Sequence, residues 1–485
     1  MKKNLALLFA FILTVTSSMV IAKPVISSVA TVEDSWKLKS PMPAGGAVYG
    51  AATVNGKIYA FGAYNYNATT YYTTGKYDPA TDRWSAIAPM PTSRIEFATT
   101  VHENKIYIIG GKKTRGDASL NNVEVYDPAT NSWSSKASMP TTRDSMQANV
   151  VNGRIYVISG EVSLIEAHSG AVFSDATEVY DPETDTWASA APIPNHVAGY
   201  ASAVLDNKIY IIGGATEGPP VGWHAVNTTQ IYDPATNKWT SGAAIPNTVE
   251  SALGGATNGS MAPKRIYVFA GFDEIGHRDL NQVYDPIINE WAVGAKQSFY
   301  GYGEIAAAIM DDLIYVIGGS YSELAAQDPW GYTANPEPVY NPPPPFPAIN
   351  YRYTPIGYGA SELTAPKIAV LSPDNGVYSS GNVSVIFTVD EPTGWMGYRL
   401  DGQQVEVITG NTTLNGLVGG LHNITLYAKD ASENSGASET ISFTIAEGPA
   451  PFPTMIVAAV SVAAVIVGAG LLVYFKKRKH EERQT

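Results

Sequence analysis

The 485 residues include no cysteine. That absence excludes disulfides, thiolate catalysis and Cys-ligated zinc, so a chain of this size must rely on its cores and on strand pairing. Basic charge is also scarce: 31 Lys and Arg face 44 Asp and Glu, for a net charge of −13, and the seven His are scattered. Without the two leader lysines and the +3 carried by residues 476–485, residues 23–475 hold about −18. Such acidity argues against nucleic acid and anionic membrane surfaces as partners and suits solubility in saline surroundings or association with cations.

What the chain has in abundance is repetition. Tyr-Asp-Pro followed by Trp occurs as Tyr77 to Trp84, Tyr126 to Trp133, Tyr180 to Trp187, Tyr232 to Trp239 and Tyr284 to Trp291. Trp36 stands upstream without its tyrosine, and the six tryptophans are spaced 48, 49, 54, 52 and 52 residues apart. A period near fifty predicts one supersecondary unit repeated side by side. Each unit also holds an apolar Ile-Tyr run ending in small residues, such as Lys105-Ile-Tyr-Ile-Ile-Gly-Gly111 and Lys208-Ile-Tyr-Ile-Ile-Gly-Gly214. β-Branched and aromatic runs bounded by glycine predict strands buried on both faces. Asp-Pro suits a type I turn, because proline presets φ and the Asp side chain accepts a local N–H. With a further strand opened by Pro91-Thr-Ser-Arg94 or Pro140-Thr-Thr-Arg143, each repeat becomes four antiparallel strands, a propeller blade.

These residues resemble the kelch repeat: Arg in the first strand, Gly-Gly closing the second, Tyr ending the third and Trp opening the fourth. Phe61-Gly-Ala, Ser159-Gly160 and Ala270-Gly271 depart from the Gly-Gly pattern. The glycine strands and tryptophan strands are out of step by one, since Trp36 comes first and Gly318-Gly319 last. The expected fold is therefore all-β, a six-bladed propeller over 33–360 closed by its N-terminal strand, which removes an exposed edge. For the last blade, Asn350 and Tyr353 repeat the spacing of Asn122 to Tyr126, which favours Tyr353 over Tyr340 as the end of the third strand. The Pro342–Pro345 run then falls in a loop insertion stiffened as polyproline II.

Lys2, Lys3 and the apolar stretch Leu5–Val15 read as a signal peptide over 1–22. Residues 454–475 carry no charge and precede Lys476-Lys-Arg-Lys479. This pattern predicts a transmembrane helix at 454–475, a cytoplasmic basic tail at 476–485 and a single-pass plasma-membrane protein with its N-terminal part outside. Between 366 and 447, alternating runs such as Val383–Val389 and Asn423–Tyr427, with Asp401-Gly402 as a hairpin signal, predict a seven-stranded β-sandwich. It resembles the immunoglobulin-like or fibronectin-type repeats of prokaryotic, especially archaeal, surface proteins, which implies a stalk, with Trp395 in its core. Asp430–Asn434 has the composition of a calcium loop but reads as a solvated turn. Sequons at Asn67, Asn227, Asn258, Asn382, Asn411 and Asn423 are candidate glycosylation sites.

Loops leaving the glycine strands and loops entering the first strands share one face. It should present Tyr64, Lys112, Lys113, Arg115, Glu161, Glu217, Asp273, Glu274 and Arg278, with Arg94 and Arg143 either on that face or bracing blade junctions. Mixed charge with tyrosine fits a protein or glycan ligand. Arg115-Gly-Asp117 matches the integrin-binding tripeptide, but three-residue matches arise by chance. Asp273, Glu274 and His277 lie on one loop without a second cluster, so no metal and no cofactor is assigned. The kelch resemblance also brings enzymes into view. The copper chemistry of galactose oxidase needs a cysteine-linked tyrosine, which this chain cannot form, and the sialidase Ser-X-Asp-X-Gly-X-Thr-Trp turn is absent. A sugar mutarotase similar to the secreted sialic-acid epimerase needs only an acid/base pair, which Glu96 or Glu161 with Arg94 could supply. The reading favoured is a non-catalytic surface binder.

Overall fold

A computed structural model describes residues 33–43, 47–63, 73–114, 116–163, 172–217, 223–273, 276–277, 279–297, 305–320, 348–359, 364–447 and 454–481. The signal peptide, Tyr64, Asn67, Arg115, Glu274, Arg278, Tyr340 and the Pro342–Pro345 run lie outside the described residues.

Six four-stranded antiparallel sheets follow one another along the chain. Blade 1 spans Gly50–Val54 to Arg83–Ala86, blade 2 Ala98–His102 to Ser132–Lys136, and blade 3 Gln147–Val151 to Thr186–Ala190. Blade 4 spans Ala201–Leu205 to Lys238–Ser241 and blade 5 Leu253–Ala256 to Glu290–Val293. Blade 6 takes Ile305–Met310, Leu313–Ser320 and Ala348–Thr354, and its outer strand is Ser35–Leu38 from the start of the described chain. The first strands touch in sequence and the sixth returns to the first, so the ring is closed. This is a β-propeller. The register sets Trp36 against Tyr353, as Trp84 is set against Tyr77 and Trp133 against Tyr126.

The blade junctions repeat the same chemistry six times. The Tyr side chains are buried, whereas the Trp side chains are only half-buried and reach the neighbouring blade. Each Trp Nε1 donates to a carbonyl of the preceding blade: Trp84 to Ser40 at 2.8 Å, Trp133 to Ala88 at 3.1 Å and Trp36 to Ala295 at 2.9 Å. Trp187, Trp239 and Trp291 do the same to Ala137, Ala191 and Ala243. Two residues before every Trp stands an Asp or Asn with φ between 48° and 54°, from Asp34 to Asn289. Its side chain accepts from the repeat Tyr hydroxyl and from a backbone N–H of the preceding blade, as Asn131 does from Tyr126 and Ala88. Short polar side chains tolerate this left-handed backbone best, which fixes the residue type.

The second glycine of each pair is demanded by a close approach. A Cβ at Gly111 would lie 2.6 Å from the Ile95 carbonyl, and one at Gly160 2.8 Å from that of Asp144. The first position admits Ser159 or Ala270, which is why those departures leave the blade intact.

Residues 366–447 form two sheets. One holds Ile368–Ser372, Val383–Val389 and Thr412–Leu414. The other is built on Gly420–Lys429 and is six-stranded, so the short strands Val377–Tyr378 and Ser435–Ala437 exceed the seven expected. Val385, Tyr398, Leu414, Leu426 and Phe443 share their core. Trp395 is half-buried outside that core, with Lys429 Nζ 5.7 Å above its ring. Asp401-Gly402 makes the expected hairpin, with φ of 51° and 73°.

The membrane anchor is corrected. No helix among the described residues is long and apolar enough to cross a membrane. The helix Thr454–Glu481 runs on through the basic cluster, and its described side chains, 463–479, end in four cations. The single-pass plasma-membrane placement therefore does not stand.

Candidate functional site

Antiparallel order puts the loops joining second to third strands, and those joining one blade to the next, on one end of the ring. There the connecting loops enter the first strands through a tight bend. Glu96, Ser145, Gly199 and Ser251 all have φ of 51–60° at this bend. Their backbones link around the axis, Ser145 N–H to Glu96 O at 2.9 Å, Gly199 to Ser145 at 2.8 Å and Ser251 to Gly199 at 2.6 Å. This belt is the rigid floor on which the loop side chains stand.

Arg94 and Arg143, read either as part of the face or as braces, do not stand on the face: both are 0% exposed. Arg143 donates to Glu178 Oε2 at 2.6 Å and to the Ser159 and Ala176 carbonyls at 2.7 and 3.0 Å. Arg94 pairs with Glu124 and donates to the Gly110 and Asn122 carbonyls. Each bridges the strands of its own blade and does not meet solvent. Blades 4 and 5 fill the same place with Val197 and Val249 and hold the loop by Gln230 and Gln282, which accept from Asn195 and Asn247 N–H.

The next residues build a charged cluster between blades 2 and 3. Lys112 Nζ sits 2.6 Å from Glu96 Oε2 and 3.0 Å from Asp144 Oδ1, and Lys112 is only 8% exposed. Asp144 is fully buried and also accepts from the hydroxyls of Ser119 at 2.6 Å, Ser145 at 3.0 Å and Ser163 at 3.0 Å. Glu161 is 7% exposed; Ser163 reaches its Oε1 at 2.9 Å, and its Oε2 has no hydrogen-bond partner among the described residues. Burial and then the Asp144 charge push the Glu161 carboxyl up. Burial works against the Lys112 ammonium, but Glu96 and Asp144 outweigh it and hold its pKa above the usual value. Three carboxyls thus surround one cation. On the far side of the axis Glu250, at the position Asp144 occupies in its own blade, is pushed up to about 7 by burial.

Over blades 3, 4 and 5 three small hairpins stand side by side: Glu161–Val162 with Val172–Phe173, Ala215–Glu217 with Trp223–Ala225, and Phe272–Asp273 with Gly276–His277. They present an aromatic rim. Trp223 is 47% exposed and meets Phe173 edge-on at 5.5 Å, and His196 lies 6.3 Å from Phe173. A cleft of about 200 Å³ opens beside them, lined by Asn195, His196, Thr216, Val226 and Thr228. Glu217 is exposed but accepts from Phe173 N–H at 3.0 Å, which ties two hairpins together. Lys113 is exposed and Asp273 half-buried. Asp117 closes its own turn through Thr114 at 2.7 Å. Asn227, Asn258, Asn382, Asn411 and Asn423 are all at the surface.

Residues 29–194 match the family described as the KLHDC2/KLHL20/DRC7 Kelch-repeats domain, and residues 196–244 match the Kelch motif. Over residues 29–244 the repeats are kelch repeats. Similar proteins include Kelch-like protein 25 of Xenopus tropicalis, 32% identical over 155 residues, which are 30% of this chain and 25% of that protein. Kelch-like protein 15 of Danio rerio is 29% identical over 224 residues, 43% of this chain and 36% of that protein. Beta-scruin of Limulus polyphemus is 29% identical over 248 residues, 49% and 20% respectively. The chain thus spans about a fifth to a third of the length of these curated relatives. The solved structure titled Structure of YjhT has a TM-score of 0.49 at 19% identity, covering 59% of this chain and 94% of that one.

The kelch signature led to the scaffold and not to the site. Asp144, Ser163, Glu250, Phe173, His196 and Trp223 carry the chemistry of the face, and none belongs to the repeated phrases. Asp144 and Glu250 share one position in the repeat, directly after Arg143 and Val249. Aligning the repeats there would have found them.

Proposed function

We propose that this kelch protein is a non-catalytic binding module that takes a protein or glycan partner on its loop face. The observation that carries this reading is the rim of Trp223, Phe173 and His196 beside its cleft, held on hairpins by a closed ring. An exposed Trp next to polar groups supplies apolar area at low entropic cost, as recognition surfaces do. The buried acid–lysine cluster beneath supports the rim by fixing the loops of blades 2 and 3. We take 33–360 as the propeller and 366–447 as a two-sheet sandwich that supports it. The test is saturable binding of purified full-length protein to glycan and peptide arrays. Trp223→Ala should weaken any binding found by at least about tenfold, since buried aromatic anchors carry more than 1 kcal/mol. Unchanged binding in that variant would remove the rim from the site.

A second reading, a sugar mutarotase, is supported by two carboxyls held up by burial at the inner end of the loop face, Glu161 and Glu250. An acid with a raised pKa and a nearby base is what ring opening needs. Catalytic anomerisation by the same sample, abolished by Glu161→Gln, would replace the binder with the enzyme.

A further inference from the structure

The opposite end of the ring is made of the short turns within blades, and there the junction of blades 2 and 3 departs from all others. His102 ends the first strand of blade 2, and Glu103 follows it in the turn. Glu183 comes from the Asp-Pro turn of blade 3, where its N–H donates to Asp181 Oδ1 at 3.1 Å. One ligating atom from each of these three side chains lies within 4.8 Å of the other two. His102 is half-buried and both glutamates are exposed.

The repeats supply an internal control. The register sets His102 opposite Lys105, the place where four of the other first strands end in Val54, Val151, Leu205 and Met310 and where blade 5 has Thr257 opposite Arg265. At the Glu103 position the other turns carry Asn55, Asn152, Asp206 and Asp311, whose short side chains suit the left-handed backbone better than Glu does. At the Glu183 position they carry Ala80, Ala129, Ala235 and Ile287, each donating its N–H to the aspartate of its turn in the same way. Three ligand-type residues therefore replace apolar, Asx and mostly Ala residues at one junction only. A second observation concerns the imidazole itself. His102 Nε2 is buried and has no hydrogen-bond partner among the described residues, although the same position in blades 1, 3, 4 and 6 is apolar. A buried imidazole nitrogen left unpaired is unfavourable unless something occupies it.

We propose that His102, Glu103 and Glu183 bind a divalent transition-metal ion of the Zn2+ class, cross-linking blades 2 and 3. One neutral imidazole and two carboxylates match the charge of the ion, and the nitrogen donor selects it over Ca2+ or Mg2+. Bonds of about 2.0–2.2 Å place tetrahedral ligands about 3.3 Å apart, and rotation of the two exposed glutamates closes the difference. Water takes the fourth position. The proposal is independent of the ligand on the loop face.

The test titrates untagged full-length protein with Zn2+ alone by calorimetry, and with Co2+ to read the visible ligand-field bands of a nitrogen–oxygen site. His102→Val and Glu183→Ala install residues that sister blades already carry, so both variants should fold, with metal-free melting temperatures at or above that of the parent. The expected result is one equivalent of Zn2+ bound in the micromolar range, weakened at least about tenfold in each variant. Zn2+ should raise the melting temperature of the parent and not of His102→Val. No saturable binding up to about 1 mM Zn2+ would overturn the site. So would binding that both variants retain.

Discussion

Arg143 and Glu178 show how far one buried pair commits a blade. The guanidinium is fully buried, and burial pulls its pKa down, which the Glu178 carboxylate only partly offsets. Removing one member leaves an uncompensated charge, worth about 3–5 kcal/mol. Blades 4 and 5 hold Val and Gln in those places. Arg143→Val is therefore expected to lower unfolding stability by about 3–5 kcal/mol, and the double variant Arg143→Val with Glu178→Gln by less. Denaturant melts of the two single variants and the double measure the coupling; simple additivity would mean that the pair does not act as a unit. Glu250 is the opposite case, a carboxyl with burial and no cation among its causes. Its folded form keeps its proton up to about 7 while the unfolded chain releases it near 4.5. Stability from this group is therefore full below pH 4.5 and is lost as pH rises through 7. Glu250→Gln should be neutral at pH 4.5 and stabilising by about 1–3 kcal/mol at pH 8. A pH-independent difference between the melting curves would contradict the assignment.

At the scale of elements, the strand Ser35–Leu38 holds the ring closed. Trp36 packs edge-on against Phe269 at 5.2 Å and tilts over Tyr353 at 5.0 Å. Asp34 accepts from Ala295 N–H at 2.6 Å and from the Tyr353 hydroxyl at 2.7 Å. Trp36→Ala should cost about 3–5 kcal/mol and expose the edge of Ala348–Thr354. Trp133→Ala removes the same contacts within an uninterrupted blade, so it should lower stability without edge-driven association. Light scattering at several protein concentrations separates the two, and equal scattering would argue against closure by this strand. This closure was legible because the Tyr and Trp phrases are long, periodic and out of step by one. So was Tyr353 as the end of the last third strand, from the spacing of Asn350. The Asx residue before each Trp was equally periodic, but it is Asp in three places and Asn in three, and a pattern read by identity passes over it. For Arg94 and Arg143 the sequence left a face or a brace open, because charge suggests a surface, whereas their burial depends on Glu124 and Glu178, which arrive from strands 30 or more residues away. The uncharged run near the end of the chain misled, since no helix among the described residues is long and apolar enough to cross a membrane.

For the whole molecule, the decisive contact joins the propeller to the two-sheet module. Asp285 is the aspartate of the fifth Tyr-Asp-Pro turn, and like Asp78 it caps its own turn, accepting from Ile287 N–H at 3.0 Å where Asp78 accepts from Ala80. Unlike Asp78 it is buried, only 4% exposed, because the module covers it. Arg265 reaches it at 3.1 Å and Ser435 at 2.7 Å, and Arg265 also donates to Glu433 O at 2.7 Å. The Asp430–Asn434 turn that resembled a calcium loop has its carboxylate filled by Ser432 and Asn434 N–H at 2.7 and 2.9 Å. It serves to hold Glu433 and Ser435 against blade 5. Arg399 adds a bond to Ile288 O at 2.5 Å. The module therefore packs on the turn end of the ring. Asp285→Ala should release it, at a cost of about 3–5 kcal/mol for the orphaned Arg265. Asp78→Ala loses the same turn cap and a more exposed pair with Lys57 at 2.8 Å, and should cost about 0.5–1.5 kcal/mol. Small-angle scattering and proteolysis between 360 and 366 should report a longer, more cleavable molecule for Asp285→Ala alone. Rim binding to the loop face should survive in both variants. Loss of that binding on release of the module would mean that the two ends of the ring are coupled and that the module does more than support it.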